Sequence, residues 1–296
     1  MTAGSNRSYP RRARTLFENV LVCGSPRLDA PILLRHAQPV LEAAAATVRL
    51  LELPEPAHML RPQTSEPLER IAENLERHGV AVRRERAAEA SGEAIIREAT
   101  AQGHDLVITG VGLAPHGRRA LERVDLDLIR RCPCPVWALE CNEPRLLRRV
   151  LAALDPGLDD EVRMRRAVRV ASIAAAMAEA AATELHVLHA WMAFGDDLLR
   201  SRMPQDEVIA YVEHARESAH AQLTQALTLA DITPAAGAVH FHKGDFQPVL
   251  RSVVGDRDID LVVMGTRGRR GWLDAVIRPH AESVLVHLRP SVLVIK

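Results

Sequence analysis

Short runs of Val, Leu and Ile alternate along this chain with longer stretches whose apolar residues recur every three or four positions. Residues 19–23, 47–53, 80–83, 106–109 and 136–139 read as strands, and 30–46, 67–78, 91–102 and 125–131 have helical spacing. The alternation then starts again. Strands are predicted at 149–154, 185–189, 238–242, 261–264 and 292–295, with helices at 162–182, 205–229, 246–254 and after Pro279. Strands that are apolar nearly throughout are buried on both faces, which means a parallel sheet covered by helices on each side. Right-handed crossovers between such strands give a doubly wound α/β fold.

The second series repeats the first. Asp105-Leu-Val-Ile-Thr-Gly110 is answered by Asp260-Leu-Val-Val-Met-Gly265, and Pro135-Val-Trp-Ala-Leu139 by Pro290-Ser-Val-Leu-Val-Ile295, at an offset of 155 positions both times. A chain of 296 residues divides comfortably into two domains of that size. The expected layout is a domain at 17–142, a linker around Glu143-Pro-Arg-Leu146, and a second domain at 147–296. Residues 1–16 carry Arg7, Arg11, Arg12 and Arg14 among Gly, Ser, Asn and Pro, and read as a disordered basic tail. Such a tail is either a solvated extension or a contact for phosphates or acidic lipid.

Composition narrows the partners. Lys+Arg and Asp+Glu both number 38, so no net field steers the molecule towards nucleic acid, which is not an expected partner. No stretch approaches the roughly 18 apolar residues of a membrane span; even 171–182 is interrupted by Ser172 and Glu179. The basic opening segment lacks a secretory apolar core, so a cytoplasmic protein with four reduced cysteines is expected.

Ligands of doubly wound sheets sit beyond the carboxyl ends of the strands, where the strand order reverses. In the second copy the fourth strand runs into Gly265-Thr-Arg-Gly268-Arg-Arg-Gly271. Glycines there let backbone amides approach a phosphate, and Arg267, Arg269 and Arg270 add charge at the same rim; a plain surface loop is the alternative. His240 and His242 alternate on one strand ahead of Lys243, so they face one side, either a pocket mouth or simply solvent and core. Cys132-Pro-Cys134 places two thiols together without the further ligands that zinc requires, and reads as ordinary loop and strand-entry thiols. No Ser-His-Asp, His-Glu-x2-His or Gly-x4-Gly-Lys-[Ser/Thr] pattern is present, so no residue is assigned a catalytic role and a non-catalytic protein is expected.

Met264-Gly265-Thr-Arg-Gly268, with Val284-Leu-Val-His-Leu-Arg-Pro290-Ser-Val-Leu-Val-Ile295 after it, resembles the C-terminal signature of the universal stress protein family. In two-copy form the resemblance covers nearly the whole chain. The run Leu128-Ile-Arg-Arg-Cys-Pro-Cys-Pro-Val-Trp137 and the ending Val-Ile-Lys resemble its tandem E-type members. The resemblance implies two Rossmann-like (adenine nucleotide alpha hydrolase-like) domains with five-stranded parallel sheets. It also implies that the last strands, 136–139 and 292–295, pair between domains into an intramolecular pseudo-dimer, with a further homodimer left open.

ATP-binding members of that family carry Gly-x2-Gly-x9-Gly-[Ser/Thr]. Here residues 269–277 lead instead to Arg278-Pro279. Proline has no N–H, so a phosphate loses a donor worth about 1.5–3 kcal/mol, although the Arg278 guanidinium could compensate. The implied binding positions are Asp155, Ala190, Met264, Gly265, Arg267, Gly268 and Arg278, with ATP or AMP as the implied cofactor of the second domain. Asp155 also suits a turn or helix cap before Pro156-Gly157. The first copy has Cys23-Gly24-Ser25 where the family has an Asp-containing turn, with Asp29 nearby, and its Gly110-Val-Gly112 reads as turn residues; no ATP is expected there. Three functions follow. The first is a stress-response regulator that binds a small anionic ligand or other proteins. The second is an ATP switch with slow hydrolysis or autophosphorylation. The third is a binder of another anionic or amphipathic metabolite, with Arg267, Arg269, Arg270 and Arg278 at its charged end.

Overall fold

The computed structural model describes residues 16–24, 28, 30–54, 66–113, 119–120, 122–141, 146–157, 160–195, 198–199, 202–265 and 288–296. The first half contains β1 (Asn19–Gly24), α1 (Ala30–Ala43), β2 (Thr47–Glu52), α2 (Glu66–Arg77), β3 (Ala81–Arg86), α3 (Gly92–Ala101), β4 (Leu106–Leu113), β5 (Arg119–Ala120), α4 (Arg123–Arg131) and β6 (Val136–Glu140). The second half contains β7 (Arg149–Ala153), α5 (Glu161–Ala180), β8 (Glu184–Trp191), α6 (Gln205–Leu229), β9 (Val239–Lys243), α7 (Phe246–Asp256), β10 (Leu261–Gly265) and β11 (Ser291–Ile295). Residues 1–15 of the expected tail, residues 143–145 of the expected linker and the helix after Pro279 lie outside the described residues.

The strands follow the order β3-β2-β1-β4-β6-β11-β10-β7-β8-β9, so each half is a doubly wound sheet with its first strand at the point of reversal. Pairing is parallel within each half and antiparallel only at the seam, where Val292, Leu293 and Val294 face Ala138, Trp137 and Val136. The short β5 adds an antiparallel hairpin on β4. The two halves therefore share one sheet, and the expected pseudo-dimer is formed by the two strands that the resemblance implied. All residues of β6 and β11 are buried, whereas the outermost β3 exposes Arg84, Glu85 and Arg86. Charge on the outer edges, with apolar residues at the seam, leaves the seam as the edge that pays to be covered.

Alternate strand residues feed two cores, which explains the unbroken apolar runs. Val20, Val22, Leu106, Ile108, Val150, Ala152, Leu261 and Val263 pack beneath α1, α2, α5 and α6. Leu21, Val107, Val136, Leu151, Val262, Val292 and Val294 pack beneath α3, α4 and α7 on the opposite face. Helix α5 has no polar stripe along its middle, and Ala167 through Ala178 is buried apart from Arg169. Its alanines allow close approach to the sheet and to its neighbours. Its first turn is capped by the Asp160 carboxylate, which accepts from Arg163 N at 3.0 Å.

The repeat of Asp105 at Asp260 has a structural cause. Asp105 accepts from the N–H groups of Glu18 and Asn19 at 2.8 and 3.0 Å, and Asp260 from those of Arg148 and Arg149 at 2.8 and 3.0 Å. In both halves this carboxylate ties the entry of the first strand to the entry of the fourth. One expectation is corrected. Gly110 and Gly112 are strand residues of β4, opposite Leu139 and Ala120, rather than turn residues. Glycine is tolerated there because β4 continues into a narrow hairpin instead of turning off the sheet.

Candidate functional site

In the second half the strand order reverses at β7, which lies between β8 and β10. Strand β7 stops pairing with β8 at Ala153 opposite Leu188, while β8 runs on to Trp191. The end of β7 therefore lies between the continuing β8 and the end of β10. The chain leaves β7 through Leu154 and Asp155, Ala190 stands on one wall, and Met264–Gly265 ends the strand on the other. Four of the expected positions are thus brought together: Asp155, Ala190, Met264 and Gly265. Arg267, Gly268 and Arg278, with Arg269 and Arg270, lie outside the described residues.

Asp155 is not the cap of the following helix, which is Asp160. Its carboxylate instead meets Arg163 Nη2 at 2.5 Å, and the same guanidinium donates to Pro156 O at 3.2 Å. Arg163 rests on Gly157, where an added Cβ would come 3.3 Å from Nη1. One turn further along α5, the stem of Arg166 lies against Gly265, where a Cβ would fall 2.7 Å from Cδ. At both glycines an arginine side chain lies where a methyl group would come, closely at Gly265 and less so at Gly157. Arg163 and Arg166 stand on the first two turns of the helix that follows Asp155. Their i,i+3 spacing was the sequence signal that would have pointed to them.

Beneath this pair lies His189. Its Nδ1 is 3.1 Å from Leu154 O, and since a carbonyl only accepts, Nδ1 carries the hydrogen and Nε2 is a bare acceptor. Burial holds the ring below the ordinary histidine range, so it is neutral near pH 7. Among the described residues neither His189 Nε2 nor Arg163 Nε has a hydrogen-bond partner, although both are buried. An acceptor and a charged donor are left unsatisfied around one carboxylate. Such groups fit a ligand that carries both anionic oxygens and hydroxyl or amino hydrogens, as a nucleotide does.

The first half is built differently. Cys23, the last residue but one of β1, is fully buried with its thiol pKa pushed up by desolvation, and the sequence has Ser25 two positions beyond it where the second half has Asp155. Leu68 of α2 crowds the space beside Gly24. The polar pair nearby, Thr109 and Asp125, is engaged internally: Thr109 Oγ1 donates to Asp125 at 3.3 Å, and Glu122 N donates to the same carboxylate at 2.9 Å.

His240 and His242 do share a face and line a groove of about 270 Å3 with Lys243, Val249, Ser252, Asp256 and Arg257. The sequence reading missed His186 of β8, which stacks on His240 with ring centroids 5.3 Å apart and a 3.1 Å contact from Nδ1 to Nε2. Its signal was the alternation that puts residue 186 on the same face of the sheet as Leu188. Among the described residues no group of three or more His, Cys, Asp or Glu is arranged to hold a metal ion. No described helix is long and apolar enough to cross a membrane.

The universal stress protein family model matches residues 17–140 and 147–296. Universal stress protein E of Escherichia coli K12 is 28% identical over 213 residues, a stretch that takes in 69% of this chain and 64% of that protein. The chain thus matches somewhat under two thirds of the length of these curated relatives. Among solved structures, a functionally unknown protein from Pseudomonas aeruginosa PAO1 superposes with a TM-score of 0.72 at 24% identity, covering 97% of this chain and 95% of that one. A universal stress protein from Archaeoglobus fulgidus gives 0.62 at 14% identity, covering 96% and 98%. Both likenesses concern the fold. With the family model matched twice, end to end, on a chain whose two halves have the same strand order, the protein belongs to the universal stress protein family as a tandem member.

Proposed function

We propose that this chain is a non-catalytic, stress-response regulatory protein whose second domain binds a small anionic ligand, with an adenine nucleotide such as ATP or AMP as the first candidate. The observation that carries this reading is the cluster above β7. Arg163 stands there in the first turn of α5 with the stem of Arg166 against Gly265, and the buried Arg163 Nε and His189 Nε2 have no partner among the described residues. The carboxylate of Asp155 already has Arg163 as counter-ion, so an incoming phosphate would compete for that guanidinium or share it with Asp155. Helix termini and paired guanidinium groups favour phosphate by the same electrostatics. The neutral His189 adds an acceptor for a hydroxyl or amino hydrogen. The second half is favoured over the first because the sequence has Ser25 where this half has Asp155, and because Leu68 crowds Gly24.

Titration calorimetry with Mg-ATP, AMP and inorganic phosphate on the intact chain tests the reading. Arg163→Gln is expected to weaken nucleotide binding at least about tenfold, the equivalent of one charge-assisted hydrogen bond. Gly268→Val should weaken it further if the glycine loop contacts the phosphates. Affinity unchanged in both variants, or no heat with any of the three ligands, removes the site.

A further inference from the structure

At the seam between the halves, α4 ends at Cys132, whose backbone is extended (φ −62°, ψ 131°), and Pro133 prevents the helix from continuing. The extended run sets residues 132 and 134 on one side, and their sulfurs are 3.4 Å apart with only 3% and 8% of the two residues exposed. Because β11 runs antiparallel to β6, its end lies beside the entry of β6, and Lys296 reaches across from the second half. Its ammonium donates to Ile129 O in the last turn of α4, and its own carbonyl accepts from Arg169 Nη1 at 3.3 Å. A mostly buried cation is thereby held beside two thiols. The Cys134 S–H first, and Lys296 after it, favour the Cys132 thiolate and hold that thiol below its ordinary range against burial, while Cys134 is pushed up by its neighbour and by burial. The other two cysteines lack this setting. Cys23 is pushed up by desolvation, and Cys141 is half-buried with its thiol on Leu139 O at 3.4 Å.

We infer that Cys132 and Cys134 form an oxidisable dithiol site for hydrogen peroxide, with Cys132 as the attacking thiolate, Cys134 as the resolving thiol and Lys296 as the charge that holds the thiolate. In the first step the Cys132 sulfur attacks a peroxide oxygen. The S–O bond forms, the O–O bond breaks, and the departing hydroxide leaves as water with the proton released when Cys132 ionised. In the second step the Cys134 sulfur attacks the Cys132 sulfenic acid. The S–S bond forms, the S–O bond breaks, and the hydroxyl leaves as water with the Cys134 proton. The dithiol loses two hydrogens and one peroxide becomes two waters. The neighbouring sulfur intercepts the sulfenic acid before further oxidation. Reactivity here follows from a positioned charge and a second thiol, the two features that separate reactive cysteines from inert buried ones.

The test uses the full reduced chain and equimolar hydrogen peroxide at pH 7, followed by denaturation, alkylation with N-ethylmaleimide and mass spectrometry. Four alkylated cysteines are expected before peroxide. Two are expected after it, Cys23 and Cys141, with a disulfide mapped between Cys132 and Cys134. Retention of four reactive thiols, or oxidation centred on Cys23 or Cys141, overturns the proposal. In Cys134→Ser the Cys132 sulfenic acid should persist and be captured by dimedone; no adduct overturns the order of events. Lys296→Met should slow oxidation about fivefold at pH 7 and move the midpoint of its pH profile upward, as a thiol pKa raised by one unit would. An unchanged rate and midpoint remove Lys296 from the site.

Discussion

His240 lies between two other imidazoles, stacked on His186 and on His242 at a centroid distance of 6.4 Å, with Arg257 close by. Desolvation, then the neighbouring His186, Arg257 and His242, lower its pKa to about 4. An unfolded chain would protonate this histidine near pH 6.5, so between those two values the unfolded state binds the extra proton and the folded state does not. The contribution of His240 to stability is therefore complete above about pH 6.5 and is lost as the pH falls towards 4. Urea denaturation from pH 7 to pH 4.5 should show stability declining through this window, and His240→Phe should flatten the decline. An identical slope in the variant would count against this origin. Asp256 lines the same groove.

Among the elements, the ends of α1 and α5 share a device. Ala45 and Ala182 adopt left-handed backbone at φ 49° and 50°, which lets Ala46 N reach Leu41 O at 3.0 Å and Thr183 N reach Ala178 O at 2.8 Å. These contacts close the helices and aim the chain at β2 and β8. Alanine pays a steric cost in that region that glycine does not, as Gly79 and Gly103 show at the ends of α2 and α3 with φ 80° and 64°. Ala182→Gly is accordingly expected to raise stability by about 0.5–1 kcal/mol in chemical denaturation, the relief of strain outweighing the entropy of glycine; a loss of stability would show that the methyl group packs. The helices were legible because their apolar spacing is regular. α6 spans the expected 205–229, and α3 falls within the expected 91–102. The extension of β4 through Gly110 and Gly112 was not legible, since two glycines after an apolar run usually announce a turn. Pairing with β6 at Gly110 and with β5 at Gly112 makes them strand residues.

At the scale of the molecule, the seam is the feature with the largest consequence. Trp137 is fully buried opposite Leu293, and Ser291 Oγ accepts from Glu140 N at 3.0 Å. Deleting residues 292–296 would uncover the whole of β6, an apolar strand with unpaired backbone groups. Self-association of the truncated chain through that edge is expected on size-exclusion chromatography with light scattering. A monomeric truncation with native circular dichroism would mean that the helices alone hold the halves in register.

The order of strands and helices and the internal repeat were contained in the sequence, because each depends on local periodicity, and the pairing of the last strands was implied by the family resemblance. What tertiary structure alone decided is which distant groups meet. It placed Arg163 on Asp155, His186 on His240, and Lys296 beside Cys132 and Cys134, 160 or more positions away in the chain. Those encounters depend on crossover direction and strand register, which set the positions of side chains in space and leave no period in the sequence. Burial then decides the chemistry, because it determines which charges and lone pairs lose their water.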